Sequence, residues 1–133
     1  ISLADESLGL QKIFGLAPDI IQAIEEGNTL VIDEINSSLH PLIALEIIKM
    51  FNSSEANPRI AQLLASTHDV TLLDPNLLRR DQIWFTEKND YNATELFSLA
   101  DFPSKEVRKD TPFDKWYLSG KFGAIPVVKD IQL

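Results

Sequence analysis

The sequence predicts an α/β fold with a mostly parallel sheet and a C-terminal hairpin. Three observations predict it. Helical and strand-like patterns alternate from residue 7 to residue 88. Two short apolar runs, Thr29-Leu30-Val31-Ile32 and Ile60 to Ser66, read as strands buried in a parallel sheet, the first on both faces. Two further segments, Gln82 to Lys88 and Thr94 to Leu99, flank the turn Asn89-Asp90-Tyr91-Asn92 and read as a hairpin.

Each element has its local reason. Ser7 is a natural N-cap for a helix from Leu8 to about Leu16. Pro18 then suits a first helical position, and Asp19 to Glu26 continues with Ile20, Ile21 and Ile24 at helical spacing. Gly27 is a natural stop. Pro41 opens a second helix through about Phe51, with Leu42, Leu45, Ile48 and Phe51 near one face. Asn52 to Pro58 is rich in turn residues. The second strand ends at Thr67-His68-Asp69, and Asp69 could cap a short helix that Pro75 stops. In the hairpin, Ile83 and Phe85 share one face while Trp84 and Thr86 share the other. Phe113 to Ser119 reads as a short helix closed by Gly120. Trp116 and Tyr117, like Trp84 and Tyr91, read as core aromatics before surface anchors, and Arg79-Arg80 as a solvated loop.

Composition excludes several classes. With 44% hydrophobic and 24% charged residues in 133, the chain is neither disordered nor fibrous, and one domain is expected. No apolar run is long enough to span a bilayer, and Ile1 to Glu6 lacks the pattern of a secretory signal. With no cysteine, disulfides and thiolate chemistry are excluded, and a cytoplasmic location is the expectation. The net charge of −8 disfavours grip on nucleic-acid phosphates, so nucleic acid would have to bind elsewhere in a longer protein. The absence of an initiator Met leads us to expect a longer protein.

Four places could carry chemistry. The first is Leu30 to Glu34, an apolar strand ending in two carboxylates. Ligands of open α/β sheets bind outside the carboxyl ends of strands. Asp33 there suits magnesium, which takes one or two carboxylates with waters and phosphates. Glu34 could orient or deprotonate an attacking water. Taken alone, the pair reads equally as a capped strand end. The second is Ser66-Thr67-His68-Asp69 at the end of the next strand. Parallel neighbours would bring His68 to the same sheet edge, where an imidazole can bond a terminal phosphate. The third is Ser7-x-Gly9 at a helix start, a small anion site or an ordinary N-cap. The fourth is Asn36-Ser37-Ser38-Leu39-His40-Pro41, a polar loop leading into a helix.

The succession of these places resembles the second half of an ABC-type ATPase domain, a P-loop NTPase fold. Ser7-x-Gly9 looks like the signature motif, and Leu30 to Glu34 like Walker B with its catalytic Glu. Ser37 to Pro41 looks like the D-loop, and Ser66-Thr67-His68 like the switch-histidine loop. The wording of IDEINSSLHP and STHD is similar to soluble AAA-like, ABC-fold ATPases of bacteria. These include restriction-linked and abortive-infection defence ATPases, with relatives in DNA repair and chromosome maintenance. Arg79 to Lys88, Glu95 to Phe102 and Lys115 to Pro126 resemble the C-terminal part of the defence group. One departure is Leu10, where the family often has Thr or Gln. The resemblance divides the chain into a signature-helix region (1–27), a Walker B, D-loop and switch-histidine core (28–88) and a subfamily extension (89–133).

The resemblance implies roles for these residues. Asp33 would hold Mg²⁺ through water, Glu34 would be the general base or water-positioning residue, and His68 would contact the γ-phosphate. Ser7 and Gly9 would touch the γ-phosphate of ATP held by the opposite protomer of a homodimer, and Ser37 and Ser38 would cross the dimer interface. ATP and Mg²⁺ are the implied cofactors. Hydrolysis would open the dimer and drive an effector. No G-x-x-x-x-G-K-S/T occurs, and the glycines at 9, 15, 27, 120 and 123 cannot build a phosphate cradle. The Walker A half is therefore expected from an N-terminal segment, and this chain alone is expected to be inactive. In the resembled fold the Walker A strand lies between the strand ending at His68 and the strand from Gln82. Its absence is expected to leave sheet edges that another segment or a swapped strand must cover. Two alternatives stay open: a metal-dependent hydrolase using Asp33, Glu34, His40 and His68, and a non-catalytic scaffold.

Overall fold

The computed structural model describes residues 3–37, 39–108 and 110–125. The chain divides into two compact units, Ile1–Asp69 and Val70–Leu133.

The first unit runs α1 (Leu8–Glu26), β1 (Thr29–Ile32), α2 (Pro41–Asn52) and β2 (Gln62–Ala65). Ser7 caps α1, its hydroxyl accepting the Leu10 N–H at 3.3 Å. The helix does not break at Pro18 as the sequence predicts. It runs unbroken through the proline, which removes one backbone hydrogen bond. Burial of Ile20 and Ala23 beyond it, on a helix that packs against β1, outweighs that loss. Gly27 ends the helix at φ 75°, and a Cβ there would lie 2.8 Å from the Arg59 carbonyl oxygen. β1 and β2 pair in parallel, with Val31 beside Leu64 and Ile32 beside Ala65.

This sheet corrects two expectations. Its face carrying Val31 and Leu64 is open, at 66% and 63% exposure, so β1 is not buried on both faces. β2 is shorter than Ile60 to Ser66 because Ile60 takes φ 58° and stands outside the strand. The loop before it is held by Asn57, a buried side chain that bonds backbone on three sides. Its amide nitrogen donates to the carbonyls of Phe51 (2.9 Å) and Ala61 (2.8 Å), and its oxygen accepts the Ala61 N–H (2.7 Å).

The second unit holds β3 (Trp84–Lys88), β4 (Thr94–Ser98) and α3 (Phe113–Leu118), with 3-10 turns at Val70–Leu72, Arg80–Gln82 and Leu99–Asp101. β3 and β4 form the expected antiparallel hairpin, Phe85 facing Phe97. Among the described residues, parallel and antiparallel pairing each involve two strands, so the sheet content is not mostly parallel. A tight polar turn, in which Asn92 N donates to the Asn89 carbonyl at 2.9 Å, folds β4 back antiparallel on β3. Ile83 and Phe85 point inward with Leu99, Val107, Phe113 and Phe122, as the alternation predicts, while Trp84 on the opposite face is 57% exposed instead of core. Tyr117 stacks on Phe85 with ring centroids 5.6 Å apart, and Trp116 packs on the same cluster. Tyr91, at the hairpin tip, is exposed instead of core. Arg80 is no solvated loop residue. Its guanidinium donates to the carbonyls of Leu99, Ala100 and Phe102 and to the Ser104 hydroxyl.

Candidate functional site

The site forms at the carboxyl ends of β1 and β2. Parallel pairing brings Ile32 beside Ala65, so the residues that follow each strand emerge side by side. Ser66 N donates to the Ile32 carbonyl and Ile35 N to the Ser66 carbonyl, each at 3.0 Å, continuing the pairing past the strands. Asp33 and Glu34 are thereby held against Ser66, Thr67 and His68.

Glu34 turns the chain at φ 49°, a left-handed conformation that is uncommon for a residue with a Cβ. Three contacts impose it. Its N–H donates to the Ser66 hydroxyl at 2.8 Å. Its carbonyl accepts from Ser37 N at 2.8 Å and from Lys12 Nζ at 3.3 Å. Lys12 also donates to the Ser37 carbonyl at 2.5 Å, so one ammonium from α1 holds both ends of the turn. The Ser66 hydroxyl in turn donates to Asp33 Oδ1 at 2.5 Å. A second tie joins the two loops, with Thr67 Oγ1 donating to Asn36 Oδ1 at 2.6 Å.

The Glu34 carboxylate lies 3.9 Å from His68 Nδ1, and both side chains are more than half exposed. The pair attracts as charges only when the imidazole is protonated. The acidic pair and His68 therefore share one sheet edge, as the sequence predicts.

The remaining predicted residues sit elsewhere or act locally. Ser7 serves α1 as its N-cap, and Gly9 lies in the first turn of that helix. Ser37 lies within the turn that Lys12 grips. Ser38 lies outside the described residues. His40 caps α2, its Nδ1 accepting the Leu42 N–H at 3.3 Å. That bond needs an unprotonated Nδ1 and turns the ring toward its own helix.

The donor set bears on the metal readings. Among the described residues, no three His, Cys, Asp or Glu side chains come together closely enough to hold a metal ion. The four-ligand set Asp33, Glu34, His40 and His68 is therefore not assembled. A single carboxylate with one oxygen held by a serine fits a magnesium ion that keeps its waters and takes phosphate oxygens. Asn36, Ser66 and Thr67 stand in loops that the sequence singles out, but neither they nor Lys12 receive an individual role from it. Their contribution is hydrogen bonding across 22 to 33 residues, to which local spacing is blind.

No helix among the described residues is long and apolar enough to cross a membrane. No curated protein and no solved structure matches the chain. The family described as "AAA domain, putative AbiEii toxin, Type IV TA system" matches residues 1–74, which carry the whole of the site above. That match spans 74 of 133 residues, and the chain belongs to this AAA-domain family.

Proposed function

We propose that the chain is part of an ATP-binding, Mg²⁺-dependent ATPase that dimerises around ATP and couples hydrolysis to a partner effector. The toxin–antitoxin wording of the family description supports a role in bacterial defence. The observation that carries the reading is the Asp33–Glu34 turn, left-handed at Glu34 and bonded to the loop that presents His68.

A bound Mg²⁺ supplies charge neutralisation to the phosphate oxygens. The chain's own residues do the rest. Asp33 would hold the ion. Glu34 orients the attacking water and accepts its proton. His68 bonds the terminal phosphate, within reach of Glu34. In the dimer, Ser7 and Gly9 meet the γ-phosphate of the opposite protomer's ATP at a helix start whose N–H groups suit an anion. Ser37 and Ser38 cross the interface. The phosphate loop, lacking from this sequence, comes from another segment of the same protein. The open Val31 and Leu64 face supports this, since parallel sheets are covered on both faces.

The lack of a phosphate loop also favours a second reading, a non-catalytic scaffold with an ATPase-like fold. Equilibrium binding and turnover of Mg²⁺-ATP by the natural full-length protein separate the two. Binding with turnover supports the ATPase, and absence of binding supports the scaffold.

A further inference from the structure

We propose that Ser66 is a positioning residue for the acidic pair, an inference that rests on the ATPase reading. One oxygen performs two tasks. Its proton goes to Asp33 Oδ1 at 2.5 Å, and its lone pair takes the Glu34 N–H at 2.8 Å. A hydroxyl is suited to this because it donates once and accepts twice.

Both tasks bear on chemistry. Fixing Asp33 Oδ1 selects the face of the carboxylate that a hydrated cation meets. Bonding the Glu34 N–H helps hold φ 49°, a conformation that persists only where its surroundings impose it. The direction of the Glu34 carboxylate follows from that backbone. Ser37 N and Lys12 Nζ hold the carbonyl of the same residue, so Ser66 closes a two-sided grip. Ser66 itself is exposed and follows β2, so its hydroxyl serves the turn more than a core.

The test uses the natural full-length protein with Ser66→Ala, Ser66→Thr and Glu34→Gln. Supporting contacts around a metal site are worth about 10–100-fold in activity or metal affinity. Ser66→Ala is expected to lower kcat by about that factor and to raise the half-saturating Mg²⁺ concentration, with little change in KM for ATP. Ser66→Thr, which keeps the hydroxyl, is expected to restore both to within a few-fold. A readout free of activity accompanies them. Without nucleotide, the Glu34 amide proton resonance is expected to move upfield and exchange faster in Ser66→Ala. Should Ser66→Ala fail to fold, Ser66→Cys keeps the volume, loses most of the bonding and takes its place. Suppose Glu34→Gln binds ATP without turnover while Ser66→Ala keeps the wild-type kcat and amide resonance. Then the Ser66 role is overturned and the ATPase reading stands. Equal loss in Ser66→Ala and Ser66→Thr also overturns it. Wild-type turnover by Glu34→Gln overturns the ATPase reading, and this inference with it.

Discussion

At the scale of residues, two left-handed positions tell different stories. Glu34 at φ 49° is gripped by Ser66, Ser37 and Lys12, whereas Ile60 at φ 58° is 79% exposed. A left-handed β-branched residue carries about 1–2 kcal/mol of strain. Ile60→Gly is therefore expected to raise stability by about 1 kcal/mol, partly offset by glycine's chain entropy. A lower midpoint in urea would show instead that the Ile60 side chain packs. The Arg79–Asp81 pair gives a pH prediction. The guanidinium donates two hydrogen bonds of 3.1 Å to the Asp81 carboxylate, and chiefly through that bonding holds its pKa below the usual carboxylate value. A depressed carboxylate pKa stabilises the fold above the ordinary carboxylate range, and the contribution disappears as pH falls through the lowered value. The pair is exposed, so the effect on stability is small. Arg79→Gln is expected to move the Asp81 titration upward, measured by NMR. Asp33, Glu34 and His68 were legible in the sequence because each follows a short apolar run. The tasks of Ser66 and Lys12 were not, because they lie in partners far along the chain.

At the scale of elements, the caps were legible and the interruptions were not. Ser7, Gly27 and Pro41 mark helix ends through local backbone chemistry, which the structure reproduces. Pro18 reads as a boundary in a local window, yet α1 passes through it because burial farther along the helix decides the outcome. The hairpin was legible because alternation and a polar turn act within twenty residues. Asn57 was not. It sits in a stretch that reads as an ordinary loop, but its side chain replaces three missing backbone partners. Asn57→Ala is expected to destabilise the first unit by about 2–4 kcal/mol, since buried backbone groups lose their partners. Thermal unfolding checks it, and a change under about 0.5 kcal/mol would mean that water replaces the side chain. Gly27→Ala is expected to cost at least about 1–2 kcal/mol, from the left-handed backbone alone. The approach of its Cβ to the Arg59 carbonyl, at 2.8 Å, adds to that cost.

At the scale of the whole molecule, the chain is two compact units, each with buried apolar side chains of its own. In the second, Phe113 is 1% exposed within the aromatic cluster. Phe113→Ala is expected to cost about 3–5 kcal/mol and to speed amide exchange in β3 and β4. In the first, the helix and strand order that predicts an α/β fold also delivers the acidic pair and His68 to one sheet edge. The sheet's extent was less legible, because an apolar run does not say how many neighbours it has. The open face at Val31 and Leu64 is where that information lies outside the local pattern. The central claim is that Glu34 handles the attacking water of an ATP site. Its most direct test is single-turnover hydrolysis of Mg²⁺-ATP by the natural full-length protein, wild type against Glu34→Gln, with nucleotide binding measured in parallel. The account predicts unchanged ATP binding and a loss of hydrolysis of about 100-fold or more in the variant. Hydrolysis at the wild-type rate by Glu34→Gln would contradict it.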